Sequence, residues 1–92
     1  MSIVHVVFGT ESHRSNYARR MAVNPRLVIR GTQPTKLIPM MTEDVKEIKI
    51  VLVSEEMWKP VTDACAKSIK EMMDMIKGYR RLGVTVTEVK YK

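Results

Sequence analysis

Two patterns in this 92-residue chain predict an α/β sandwich of the ferredoxin-like βαββαβ type, with a four-stranded antiparallel sheet and two helices on one face. The first is the order of hydrophobic periodicities, which runs strand, helix, strand, strand, helix, strand. The second is that the first and third strand-like runs are apolar on both faces, as central strands are, while the second and fourth are short or polar, as edges are. A small three-layer α/β sheet is the alternative arrangement of the same elements. A chain of 92 residues has room for one domain with one core, residues 1–92.

Each element follows from local chemistry. SIVHVVFG places Val4, Val6 and Phe8 on one side and Ile3 and Val7 on the other. Residues 12–23 fit a short helix, with Ser12 as N-cap and Tyr17, Ala18, Met21 and Ala22 as its apolar stripe. Asn24-Pro25 ends it, because a residue before proline avoids helical backbone. RLVIRG is a short strand closed by Gly31.

Residues 31–44 read as one long irregular segment. Pro34 and Pro39 exclude a regular central strand there, although 36–41 can pair at an edge. VKEIKIVLVS then alternates Ile48, Ile50 and Leu52 against Val51 and Val53. Ser54, Glu55 and Glu56 have the composition of a helix start. Trp58, Val61, Cys65, Ile69, Met72, Ile76 and Tyr79 recur at spacings of three and four. That is the stripe of a long helix beginning near Lys59, with Pro60 in its first turn, and ending at Gly78 or Gly83. VTVTEVKYK is a final, more polar edge strand.

Two local likenesses accompany this pattern. VKEIKIVLVSEE and GVTVTEVKYK resemble the strands of the first βαβ half of P-II signalling proteins. That resemblance implies ferredoxin-like topology and nothing about activity. VVFGTESHRSN resembles the phosphate loop of flavodoxins, in which a strand runs into a Thr/Ser-rich turn. It departs in lacking that loop's internal glycine, and the chain is short for that fold, so no cofactor is expected.

The charge is unevenly placed. Residues 1–41 hold six cations, five of them arginine, against Glu11 alone, for +5; residues 42–92 hold ten against nine, for +1. Such asymmetry points to an anionic partner, with nucleic acid or another polyanion foremost. His13 and Arg14 sharpen the point, because positive charge in a helix's first turn opposes the helix dipole unless something negative meets it. The turn into that helix offers Thr10, Ser12, Ser15 and Asn16 as donors around Arg14, and free N–H groups in such a turn can cradle phosphate. Arg19 and Arg20 face outward on the helical wheel, joined in the basic half by Arg26, Arg30 and Lys36. The competing reading is a solvated face, which costs only about 0.3–1 kcal/mol.

Catalysis is not legible. His5 and His13 are the only histidines and have no Cys or carboxylate cluster at metal-ligand spacing, so no metal is expected. A histidine inside a strand, like His5, reads as packed, and Cys65 lies on an apolar stripe. Five aromatics, three of them on helix stripes, do not make the stacking platform of an RNA-recognition sheet, though Phe8 can lie on an open face. The N-terminus has no basic segment before its short apolar run, and no stretch reaches membrane-spanning length; a cytoplasmic chain without membrane contact is expected.

The expected function is a small basic module binding nucleic acid. The alternative is a regulatory domain for a nucleotide or phosphate, and a phosphoryl-handling enzyme is a more distant third. Two helices on one face would leave apolar residues of both central strands uncovered, which predicts a homodimer through that open face or through residues 37–41.

Overall fold

Residues 31–44 decide the topology. In the computed structural model, which describes residues 2–53 and 65–91, this segment contains a helix, Pro34–Met40. Pro34 sits in its first turn, where the N–H that proline lacks would have no partner in the helix anyway. Pro39 falls in the last turn, and the Met41 N–H closes the helix onto the carbonyls of Leu37 and Ile38 at 3.1 and 3.2 Å. Two prolines that exclude a strand are therefore compatible with one short helix. A helix between two strands forms a crossover, and a crossover delivers the next strand parallel rather than as a hairpin.

The element order is β1 (Ser2–Phe8), α1 (Glu11–Arg20), a 3₁₀ turn (Pro25–Leu27), β2 (Val28–Arg30), α2 (Pro34–Met40), β3 (Val45–Leu52), α3 (Ala66–Arg81) and β4 (Thr85–Lys90). All three strand pairings are parallel, in the order β2-β1-β3-β4. The ferredoxin-like antiparallel sheet is thus overturned, and with it the topology implied by the likeness to P-II proteins. β1 and β3 are nevertheless the central pair, and β2 and β4 the edges, as their polarity indicated.

The chain steps from β1 to β2 on one side, then returns across β1 to β3 and continues to β4. Under right-handed crossovers that reversal sends the helices to opposite faces. Val7, Val28, Val51 and Val53 pack with Tyr17 and Ala18 of α1. Val4, Val6, Phe8, Ile29, Ile48 and Ile50 pack with Leu37 of α2 and with Met72 and Ile76 of α3. Both faces of the central strands are needed for these contacts, and parallel sheets are buried in this way. Val4, Val6, Val7 and Phe8 are all buried, so the open apolar face on which a homodimer was expected does not form from them. On the α1 side, the β3–β4 half of the sheet carries Glu47, Lys49, Thr85 and Thr87, with the Thr87 hydroxyl donating to Glu47 Oε2 at 3.0 Å. In the other proposed contact, residues 37–41, Leu37 is fully buried and Ile38 is 62% exposed.

Several boundaries shift. α1 begins at Glu11 with Thr10, not Ser12, as N-cap, and ends at Arg20. Of its expected stripe, Tyr17 and Ala18 are buried, whereas Met21 and Ala22 lie past the helix and are exposed. Phe8 is not on an open face; its ring lies against Gly31, where an added Cβ would approach it to 2.3 Å. The Gly31 N–H in turn donates to the Val7 carbonyl at 2.8 Å, which seats the end of β2 beside β1.

Met72 and Ile76 of the long stripe are buried, with Ile69 and Tyr79 packed against the same core. α3 runs through Gly78, and Gly83, at φ +101°, follows its end. Trp58, Val61 and the expected helix start at Ser54–Lys59 lie outside the described residues. Among the described residues, no helix is long and apolar enough to cross a membrane.

Candidate functional site

In open parallel sheets, ligands gather where the strand order reverses, outside the C-terminal ends of the strands. Here that point lies between β1 and β3, and the order 2-1-3-4 is the beginning of the flavodoxin-type 2-1-3-4-5. The β1–α1 turn, Gly9 and Thr10, stands at this point, so the segment resembling a phosphate loop is in the expected place. Several of its donors, however, are already engaged. The Thr10 N–H donates to His13 Nδ1 at 3.1 Å, and the His13 N–H donates to Thr10 Oγ1 at 3.3 Å. The Thr10 hydroxyl also lies 2.9 Å from Nδ1. This is a capping box with histidine in the place usually held by Glu or Gln. Because Nδ1 accepts the Thr10 N–H, the imidazole proton of this arrangement sits on Nε2. A Cβ on Gly9 would lie 3.0 Å from both His13 Nδ1 and Val53 Cγ2, so the turn is packed against its neighbours as well as capped. Two backbone donors of the expected cradle thus serve the helix itself.

Arg14 has the negative partner that its position required, and it is intramolecular. Its Nε donates to both carboxylate oxygens of Glu11 at 2.9 and 3.0 Å, and Nη2 donates to Oε1. Nη1 reaches the Val28 carbonyl of the edge strand at 3.4 Å. The hydrogen bond from Arg14 holds the Glu11 carboxyl below its ordinary range, and the same bond pushes the Arg14 guanidinium upward. Arg30 and Lys36 add to the field on Glu11. Arg30 also donates from Nε to the Gly9 carbonyl at 3.3 Å, tying the end of β2 to the β1–α1 turn.

Several cations of the basic half gather beside β2. An open cleft of about 510 Å³ lies between the start of α1, the 3₁₀ turn and α2, and Arg14, Arg26, Lys36 and Gln33 line it with Glu11. A second hollow of about 330 Å³ shares Arg14 and Pro25 with the first and adds Ser15 and Arg19. Together they form a basic margin along the β2 edge of the sheet. Five of the expected site residues, Arg14, Ser15, Arg19, Arg26 and Lys36, come together there. Thr10 and His13 belong to the cap, and Ser12 and Asn16 are exposed on α1.

Arg20 is placed elsewhere. Its guanidinium lies 5.3 Å from the centroid of the Tyr91 ring, with Nη1 at 3.4 Å from the Tyr91 hydroxyl. The two adjacent arginines of α1 therefore serve different surfaces. Gln33 was missed because the helix that follows it was read as irregular; Glu11 was counted only as the lone acid of the basic half.

Beneath α1, His5 Nδ1 and the Tyr17 hydroxyl are hydrogen-bonded at 2.8 Å, both groups buried. Burial, then the charge of Lys49, lowers the His5 pKa from 6.5, with Glu47 opposing; burial raises that of Tyr17. His5 is a packed histidine with a hydroxyl partner. Among the described residues, no three His, Cys, Asp or Glu side chains are grouped to hold a metal ion. The chain matches no protein-family model, and no curated protein or solved structure shows significant similarity to it.

Proposed function

We propose that this chain is a small basic binding module whose anionic partner is nucleic acid, engaged along the β2 margin of the sheet. The observation that carries the reading is the gathering of Arg14, Arg19, Arg26 and Lys36 around two adjoining hollows with a single carboxylate among them. Arginine suits the task because its planar fork meets two phosphate oxygens at once. A series of cations along an edge matches a run of backbone phosphates, and such contact needs no aromatic platform. A second reading, a nucleotide or other small phosphate ligand, is favoured by the size of the larger cleft, which falls within the usual range for small-molecule pockets.

Binding of a fluorescent DNA duplex, measured across salt concentrations, tests the proposal. Each phosphate contact contributes about −0.9 to the slope of log affinity against log salt. Arg26→Ala combined with Lys36→Ala should flatten that slope by about 1.8 if both make contact. An unchanged slope, or no binding at low salt, overturns the nucleic-acid reading. Saturable binding of a mononucleotide, with no binding of duplex, establishes the second.

A further inference from the structure

We infer that Glu11 is a built-in occupant of the anion site, whose carboxylate covers the binding edge of Arg14 until a phosphate group displaces it. The inference rests on the β2 margin being an anion site, and it adds how that site is controlled.

The geometry of Arg14 carries it. A guanidinium binds carboxylate or phosphate best through two adjacent N–H groups pointing the same way. In Arg14 that edge, Nε with Nη2, is wholly engaged by the two oxygens of Glu11. The remaining nitrogen, Nη1, is fixed to the Val28 carbonyl of the edge strand. Arg14 is therefore anchored on one side by the fold and covered on the other by a side chain that can swing away. Removal of the carboxylate would leave the fork in place and facing the cleft, beside Arg26 and Lys36.

Glu11 is also accessible. Its side chain is 60% exposed against 23% for Arg14, so the cation is the seated partner and the anion the movable one. Exposed pairs of this kind contribute little to stability, and an incoming phosphate gives up little by breaking one. A phosphate presents two oxygens to the fork as a carboxylate does, and on a duplex its neighbouring phosphates meet the remaining cations. The Arg14 hydrogen bond, with smaller contributions from Arg30 and Lys36, holds the Glu11 carboxyl below its ordinary range, in keeping with a position that suits a negative group.

A purely structural i,i+3 pair would behave differently, and two charge controls separate the cases. Glu11→Gln removes one negative charge from the cleft. Glu88→Gln removes one from the exposed face of β4, at the opposite edge of the sheet. Glu11→Asp keeps the charge but shortens the side chain by one methylene, which loosens the fork contact. Inorganic phosphate and a fluorescent DNA duplex are titrated into all four proteins, each first shown to be folded by its thermal transition.

Glu11→Gln is expected to bind both probes up to about fivefold more tightly than wild type, the fold-change that matches displacement of one exposed pair. Glu88→Gln should change affinity distinctly less. Glu11→Asp should also bind more tightly than wild type, although its net charge is the same. Equal gains in Glu11→Gln and Glu88→Gln would reduce the effect to general electrostatics and overturn the inference while leaving the binding module intact. Binding of neither probe by any of the four proteins would remove the anion site and the inference together. If Glu11→Gln does not fold, the Glu11→Asp comparison decides, and an affinity no greater than wild type overturns the inference.

Discussion

The two flanks of α1 treat their polar groups in opposite ways. On the flank toward β4, three polar groups meet another part of the fold: His5 meets Tyr17, Tyr17 meets the Tyr91 ring edge-on at 5.6 Å, and Arg20 lies over Tyr91. On the flank toward β2, Arg14, Arg19 and Arg26 line hollows open to solvent, and Lys36 faces them from α2. The helix itself is short and only weakly amphipathic, so its own sequence does not separate the two sides. What separates them is the sheet beneath. β1 and β3 continue under one flank, so His5 and Tyr17 are buried there and must be satisfied within the protein. The sheet ends at β2 under the other, and Arg19, Arg26 and Lys36 stay exposed there.

The largest expected effect lies on the buried flank. His5 is neutral in the fold, and its pKa is lowered from 6.5 by burial and by Lys49. Below pH 6.5 the unfolded chain therefore binds a proton more readily than the folded one, and stability must fall as pH falls. The contribution is complete above that value and is lost progressively down to the depressed folded pKa. Urea unfolding across this range should show the loss in wild type and not in His5→Gln, whose amide can still meet the Tyr17 hydroxyl. The lowered Glu11 carboxyl acts in the same direction but only below its ordinary 4.5. Matching pH slopes in the two proteins between pH 6.5 and 4.5 would remove His5 from the account.

A smaller loss is expected at the cap joining the flanks. Thr10→Val removes the hydroxyl that accepts the His13 N–H while nearly preserving shape. Stability should fall by about 1 kcal/mol, the usual cost of a lost N-cap. Duplex affinity at equal folded concentration should be unaltered, because that turn's donors are engaged within the helix start. A marked loss of affinity in a folded Thr10→Val protein would return the anion site to the β1–α1 turn.

How far the sequence foretold these regions depends on the range of the interaction that decides each one. The central position of β1 and β3 was legible because two-sided apolarity is written in every second residue. The same pattern is the mark of a parallel sheet with helices on both faces, and it equally fits a two-layer fold whose open face meets a partner molecule. Pro34 and Pro39 are the ambiguous positions, because proline argues against a strand and is equally at home in the first turn of a short helix. The basic half was legible from composition. Which of its cations share a surface was not, because that depends on the position of the sheet's edge relative to α1. Nor does any local signal distinguish Thr10 from Ser12 as the cap; the choice is made by where β1 ends and by the His13 ring folding back onto Thr10.

Arg19 and Arg20 give the finest test of the two-flank account, since they are adjacent and chemically identical. Arg19 borders the hollow on the β2 side, whereas Arg20 crosses to Tyr91. Arg19→Ala should flatten the salt dependence of duplex binding by about 0.9 and leave stability within roughly 0.5 kcal/mol. Arg20→Ala should leave the slope in place but lower stability by about 0.5–1 kcal/mol, the usual contribution of an exposed cation over an aromatic ring. If Tyr91 is the cause, Tyr91→Leu should produce the same loss, and Arg20→Ala should add little to it. Equal flattening by the two arginine variants would mean that the polyanion reaches around α1 to the Tyr91 side, and the separation of the flanks would not extend to binding.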